Sequence, residues 1–143
     1  RMIHAVVITH GRLGEELLNS AEMVFGQIKG IDSVALLKED NPGSFEEKIC
    51  KVLKKEEEQL LFLADIYGGT PYNAAVSLLK KYNAWIVTGV NLGMVLELAS
   101  TIETVETAEK MAKNMLETAA FTCQAVNREN FSAAFRETEE EDL

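Results

Sequence analysis

Four short apolar runs alternate along this chain with segments in which apolar residues recur every three or four positions. That alternation restricts the fold more than any other feature of the sequence. The first run, Met2-Ile3-His4-Ala5-Val6-Val7-Ile8-Thr9, is β-branched and nearly continuous, as suits a strand covered on both faces in a parallel sheet. The others lie at about Ser33–Leu37, Leu60–Ile66 and Ala84–Gly89. Leu13, Leu17, Ala21, Val24, Phe25 and Ile28 form one face of a first helix, which Gly30 is expected to close. Ser44-Phe45-Glu46-Glu47 reads as a capping box opening a second helix, with Phe45, Ile49, Val52 and Leu53 buried. Thr70 as cap and Pro71 at the first helical position open a third, lined inward by Ala74, Ala75, Leu78, Leu79 and Tyr82. A further helical stretch follows Val90-Asn91-Leu92-Gly93. The last long helix is expected from about Thr104, with Val105, Ala108, Met111, Ala112, Met115, Leu116 and Ala119 as its stripe. Phe121–Val126 is expected to add an antiparallel edge strand. The sum is an open, doubly wound α/β sheet of about four parallel strands plus that edge.

With 143 residues the chain is one domain, expected over 2–126, followed by a 127–143 tail whose last eight residues hold five acids and one base. Fourteen basic against 23 acidic side chains give a net charge of −9, which argues against a nucleic-acid partner or an anionic membrane surface. No apolar run is long enough to insert directly into a membrane. Cys50 and Cys123, the two cysteines, imply no disulfide framework and read as buried small hydrophobes. With no signal peptide evident, a cytoplasmic setting is expected. No His/Cys/Asp cluster has metal-ligand spacing and no P-loop is present, so neither a metal nor another cofactor is expected.

In such sheets ligands bind beyond the carboxyl ends of the strands, near the point where strand order reverses. Three segments stand at that rim: Thr9-His10-Gly11, then Asp65-Ile66-Tyr67-Gly68-Gly69-Thr70-Pro71, then Gly89-Val90-Asn91. A neutral imidazole at His10 can attack phosphorus through one ring nitrogen while the other donates to a carboxylate, for which Asp65 is placed. Gly68 and Gly69 permit close approach of a ligand to the backbone, and the helix start at Thr70 favours an anion such as a phosphoryl group. Asn73 and Asn91 read as loop-orienting residues, and Met23, Met111 and Met115 as core. His4, mid-strand, has no partner evident in the sequence and reads as a packed or edge side chain.

Val6-Val7-Ile8-Thr9-His10-Gly11, Ala21-Glu22-Met23, Leu63-Ala64-Asp65-Ile66-Tyr67-Gly68-Gly69-Thr70-Pro71-Tyr72-Asn73-Ala74-Ala75 and Gly89-Val90-Asn91-Leu92 resemble, in order and spacing, the mannose-family enzyme IIA domain of the bacterial phosphoenolpyruvate-dependent sugar phosphotransferase system. The resemblance covers about residues 2–126. It implies a flavodoxin-like sheet, a homodimer exchanging a C-terminal edge strand, and a phosphoryl relay. In that relay His10 takes a phosphoryl group from HPr and passes it to a histidine on enzyme IIB, feeding a membrane sugar permease. Asp65 matches the family's orienting aspartate and Thr70 the hydroxyl residue of its Gly-Gly-Ser/Thr-Pro turn. Family members commonly carry a short apolar residue and proline after Asn91, where this chain has Leu92-Gly93.

Rival readings differ at particular residues. A histidine phosphatase has Arg-His-Gly, with the arginine clamping phosphate, where this chain has Thr9-His10-Gly11. A response-regulator receiver needs an acidic pair after its first strand, where His10-Gly11 stands. A regulatory module whose phosphohistidine is a signal would use the same His10. A IIA component serving a dihydroxyacetone kinase is set against by Gly-Gly-Thr-Pro-Tyr-Asn.

Overall fold

Each apolar run becomes a strand, and each period-3.6 segment a helix, in a computed structural model that describes residues 2–131. The order is β1 (His4–His10), α1 (Leu13–Phe25), β2 (Ile31–Leu36), α2 (Pro42–Val52), β3 (Leu60–Ala64), α3 (Thr70–Leu78), β4 (Ala84–Thr88), α4 (Leu92–Thr101) and α5 (Ala108–Thr122). The four strands are all parallel and lie side by side as β2-β1-β3-β4. From β1 the chain steps outward to β2, then crosses back over β1 to β3. Strand order therefore reverses between β1 and β3, and the carboxyl ends of those two strands frame the crevice.

Alternation along the strands sorts the core into two layers. Ile3, Ala5, Val7, Leu61, Leu63 and Val87 face α1, α4 and α5, where Leu98, Met111 and Met115 complete the layer. Val6, Ile8, Val34, Leu60, Phe62 and Ala64 face α2 and α3, against Phe45, Ile49, Ala75 and Leu78. All five residues of β3 are fully buried, as a central parallel strand covered by helices on both faces requires.

The ends of the elements depart from expectation for local reasons. Asn41, rather than Ser44, caps α2: its Oδ1 accepts the Ser44 N–H at 2.9 Å, while Ser44 Oγ accepts the Asn41 N–H at 3.0 Å. The reciprocal box thus starts three residues early, with Pro42 pre-set for the first turn. Gly69 is the N-cap of α3, so Thr70 is its first helical residue and makes no capping bond. Helix α1 ends at Phe25 on Gly26 (φ +95°) instead of running to Gly30, which leaves Met23, Val24 and Phe25 exposed rather than in the core. Thr107 Oγ1 accepts the Lys110 N–H and starts α5 later than Thr104. Leu116 is exposed, Cys50 half-buried and Cys123 exposed.

The antiparallel strand expected over 121–126 is not formed. Phe121 and Thr122 finish α5 and residues 123–127 carry no regular structure. A strand needs a ladder partner, and nothing else in the described chain lies alongside this stretch as one. Residues 128–131 make a single helical turn; the rest of the expected acidic tail, 132–143, lies outside the described residues. No helix among the described residues is long and apolar enough to cross a membrane.

Candidate functional site

His10 is the last residue of β1, and Asp65 follows the last residue of β3. The β1–β3 register pairs Ile8 with Ala64, so both side chains emerge at the crevice where strand order reverses. One carboxylate oxygen, Asp65 Oδ2, accepts two bonds from His10: the backbone N–H at 2.9 Å and ring Nδ1 at 2.8 Å. Asp65 Oδ1 accepts the N–H of Ile66 at 3.0 Å, which fixes the plane of the carboxylate. An ionised carboxylate only accepts, so Nδ1 carries the proton, and in the neutral imidazole Nε2 is the nitrogen with the lone pair. The Asp65 side chain is 11% exposed and that of His10 52% exposed, so the carboxylate is sheltered while the imidazole stands in solvent.

Glycines set the shape around the ring. Gly11 turns the chain at φ +57°, and its N–H donates to Leu36 O at 2.7 Å, tying the turn to β2. Gly68 adopts φ +85° and lets the loop after Asp65 double back toward α3. Gly69 acts differently. A β-carbon there would lie 2.9 Å from His10 Cε1 and 3.6 Å from Nε2, so its missing side chain is the space the imidazole occupies. The start of α3 is thereby in van der Waals contact with the ring. Its first-turn N–H groups at Thr70 and Tyr72 have no partner within the helix, and Pro71 has no N–H to contribute. The positive end of the helix dipole is thus set beside the free nitrogen.

Apolar side chains border this shoulder. Ile66 and Tyr67 are exposed, and the Tyr67 and Tyr72 rings pack with centroids 4.9 Å apart at 52°. Asn91 caps α4 through Met94 N–H at 3.1 Å, the loop-orienting role expected of it, whereas Asn73 makes a long 3.5 Å contact to Gly68 O.

The structure thus brings His10, Asp65, Gly68, Gly69 and Thr70 to one edge of the sheet. Thr9 has a structural role that its place beside His10 in the sequence does not announce. It is polar yet fully buried, and its hydroxyl holds the turn that carries His10. A hydroxyl residue ending an otherwise apolar strand was the available signal. His4 is the second correction, for it has two partners: Nδ1 lies 2.7 Å from Glu57 Oε1 and Nε2 2.7 Å from Asp32 Oδ2. Burial alone would lower its pKa, but the hydrogen bonds to Asp32 and Glu57 outweigh that and raise it above the ordinary 6.5. Both partners are remote in sequence, and the cluster sits at the opposite end of β1 from His10.

A family profile described as EIIA-man, PTS system fructose IIA component, matches residues 4–122. The chain is 37% identical over 105 residues to the fructose-specific EIIA component of Bacillus subtilis, covering 71% of this chain and 72% of that one. It is 35% identical over 100 residues to the mannose-specific EIIAB component of Escherichia coli K12, covering 67% of this chain but 31% of that longer protein. Among solved structures, the mannose/sorbose-specific IIA subunit from Enterococcus faecalis superposes with a TM-score of 0.82 at 28% identity, over 89% of this chain and 96% of that one.

Proposed function

The chain belongs to the EIIA-man family of phosphotransferase-system IIA components, and from that membership we propose that it relays a phosphoryl group through His10 during sugar uptake. In this reading phosphorylated HPr is the donor and a histidine of enzyme IIB the acceptor, upstream of the membrane sugar permease. The observation that carries it is the single-oxygen clasp of Asp65 on the His10 backbone and ring, which leaves Nε2 free and exposed.

The transfer is an in-line exchange. The Nε2 lone pair attacks the phosphorus of the donor's phosphohistidine; the new N–P bond forms as the old one breaks, and its electron pair returns to the donor's ring nitrogen. The Nδ1 proton stays in place, and the Asp65 carboxylate offsets the positive charge that builds on the His10 ring. The N–H groups around Gly68, Gly69 and Thr70 receive the phosphoryl oxygens, beside the positive end of α3. The second transfer, to enzyme IIB, is the same step in reverse sense. Positioning and charge suffice for an exchange between two bonds of similar energy, so the proposal needs neither nucleotide nor metal.

A homodimer belongs to the same proposal. β4 is an edge strand of five residues with Trp85 43% exposed, and residues 123–127 of a second copy, which follow α5 without regular structure, match it in length. The setting proposed is the cytoplasm.

The test is intact mass at neutral to basic pH after incubation with phosphoenolpyruvate, enzyme I and HPr. One acid-labile phosphoryl is expected on the wild type and none on His10→Ala. Equal labelling of the variant would sink the assignment.

A further inference from the structure

We infer that Thr9 is a positioning residue for the nucleophile: its buried hydroxyl clasps strand β1 to the start of α1 across the turn that presents His10. The inference rests on His10 being the phosphoryl acceptor.

The observations are geometric. Thr9 has 0% exposure although it is polar, and both sides of its hydroxyl are used. Oγ1 donates to Gly11 O at 3.2 Å and accepts the N–H of Gly14 at 2.9 Å. Gly14 is the second residue of α1, a position whose N–H is ordinarily satisfied by the side chain of the N-cap. Here the N-cap is Arg12, which makes no side-chain capping bond, and the strand supplies the missing oxygen from three residues upstream. The helix start is pressed close enough for this because residue 14 has no side chain. A β-carbon there would stand 3.0 Å from Val7 Cγ1 and 3.4 Å from Thr9 Oγ1.

His10 lies between the two bonded groups. Its backbone N–H and its ring share Asp65 Oδ2, so a small rotation of the 9–11 peptide planes would misalign both bonds to that oxygen. Strand β1 fixes one side of the turn through its ladder, and the Thr9 hydroxyl fixes the other against α1. A valine at position 9 would keep the shape and remove the clasp, leaving the Gly14 N–H buried without an acceptor.

The experiment compares Thr9→Val and Thr9→Ser with the wild type by amide hydrogen exchange and by phosphoryl uptake from phosphorylated HPr, with circular dichroism confirming folded protein. In Thr9→Val, protection of the Gly14 and His10 amides is expected to fall at least tenfold while Val7 and Phe62 in the strands keep theirs, and uptake to slow at least tenfold. Thr9→Ser, which retains the hydroxyl, is expected to stay within threefold of wild type in both. Unchanged protection at His10 in a folded Thr9→Val protein overturns the inference, and so does a Thr9→Ser protein that behaves like Thr9→Val, since the methyl group would then be what matters. Should the wild type accept no phosphoryl group at all, the relay fails, while the exchange data still decide whether Thr9 holds the His10 turn.

Discussion

Replacing Gly69 by alanine separates the positioning of His10 from the stability of the fold. Gly69 has φ −81° and ψ 175°, an extended conformation that alanine adopts without strain. On backbone grounds a gain of about 0.4–1 kcal/mol, through a less flexible unfolded chain, is offset by a loss of about the same size at the N-cap of α3, where alanine is less favourable than glycine, so little net change is expected. The conflict is with side chains. The new methyl would sit 2.9 Å from His10 Cε1 and 3.0 Å from Ile66 Cγ2, against an optimal carbon–carbon separation of about 3.5–4.0 Å. Because the His10 side chain is half exposed, the ring can yield, and it must move by roughly 0.6–1 Å. A shift of that size takes the 2.8 Å Nδ1 bond to Asp65 beyond useful length. Misplacement of a reacting group by about 1 Å costs on the order of 100-fold in rate, or about 2.7 kcal/mol of barrier. The assay pairs thermal unfolding with the rate of phosphoryl uptake from phosphorylated HPr. A nearly unchanged Tm with an uptake rate down by about two orders of magnitude is expected. Wild-type uptake by Gly69→Ala would refute the argument that the missing side chain makes room for the ring.

Asp65→Asn keeps an acceptor for Nδ1 but removes its charge. Trading a charge-assisted bond for a neutral one is expected to slow uptake by about tenfold at unchanged fold, read in the same assay. His4 gives a prediction in pH. Its pKa is raised on folding, so the stability it contributes is fully present below the unfolded value of 6.5 and is lost as pH rises through the higher folded value. The urea midpoint of the wild type is therefore expected to fall between pH 6 and pH 9 by more than that of His4→Gln; equal falls would show that the Asp32 and Glu57 bonds do not depend on the imidazolium.

What could be read in advance follows the range of the interactions involved. The parallel strands were legible because a run such as Leu60-Leu61-Phe62-Leu63-Ala64 has no polar face to offer solvent, and the rim residues because strand ends and glycine turns follow from that. Element ends were less so. Asn41 and Ser44 are both good caps, and only the three-dimensional course of the loop decides between them. The 121–126 stretch has the aromatic and β-branched content of a strand, but the α5 hydrogen bonds extend through Thr122 when no second strand is at hand. His4 looked partnerless because its carboxylates are 28 and 53 residues away, and no periodicity reports a contact of that kind. Within the site, the alignment of His10 with Asp65 followed from topology, whereas the role of Gly69 as the space for the ring needed coordinates.

The two histidines of β1 stand six residues apart on the same face of one strand, and the strand carries them to opposite ends of the sheet. Their surroundings give them different valences. In His4 both ring nitrogens are committed to carboxylates that favour the protonated ring, and while protonated this imidazole presents no electron pair to an incoming electrophile. In His10 one nitrogen is committed and the other is open. An acylating reagent such as diethyl pyrocarbonate should therefore discriminate between them without help from any partner protein, and a single strand carries both a reactive imidazole and its own internal unreactive reference.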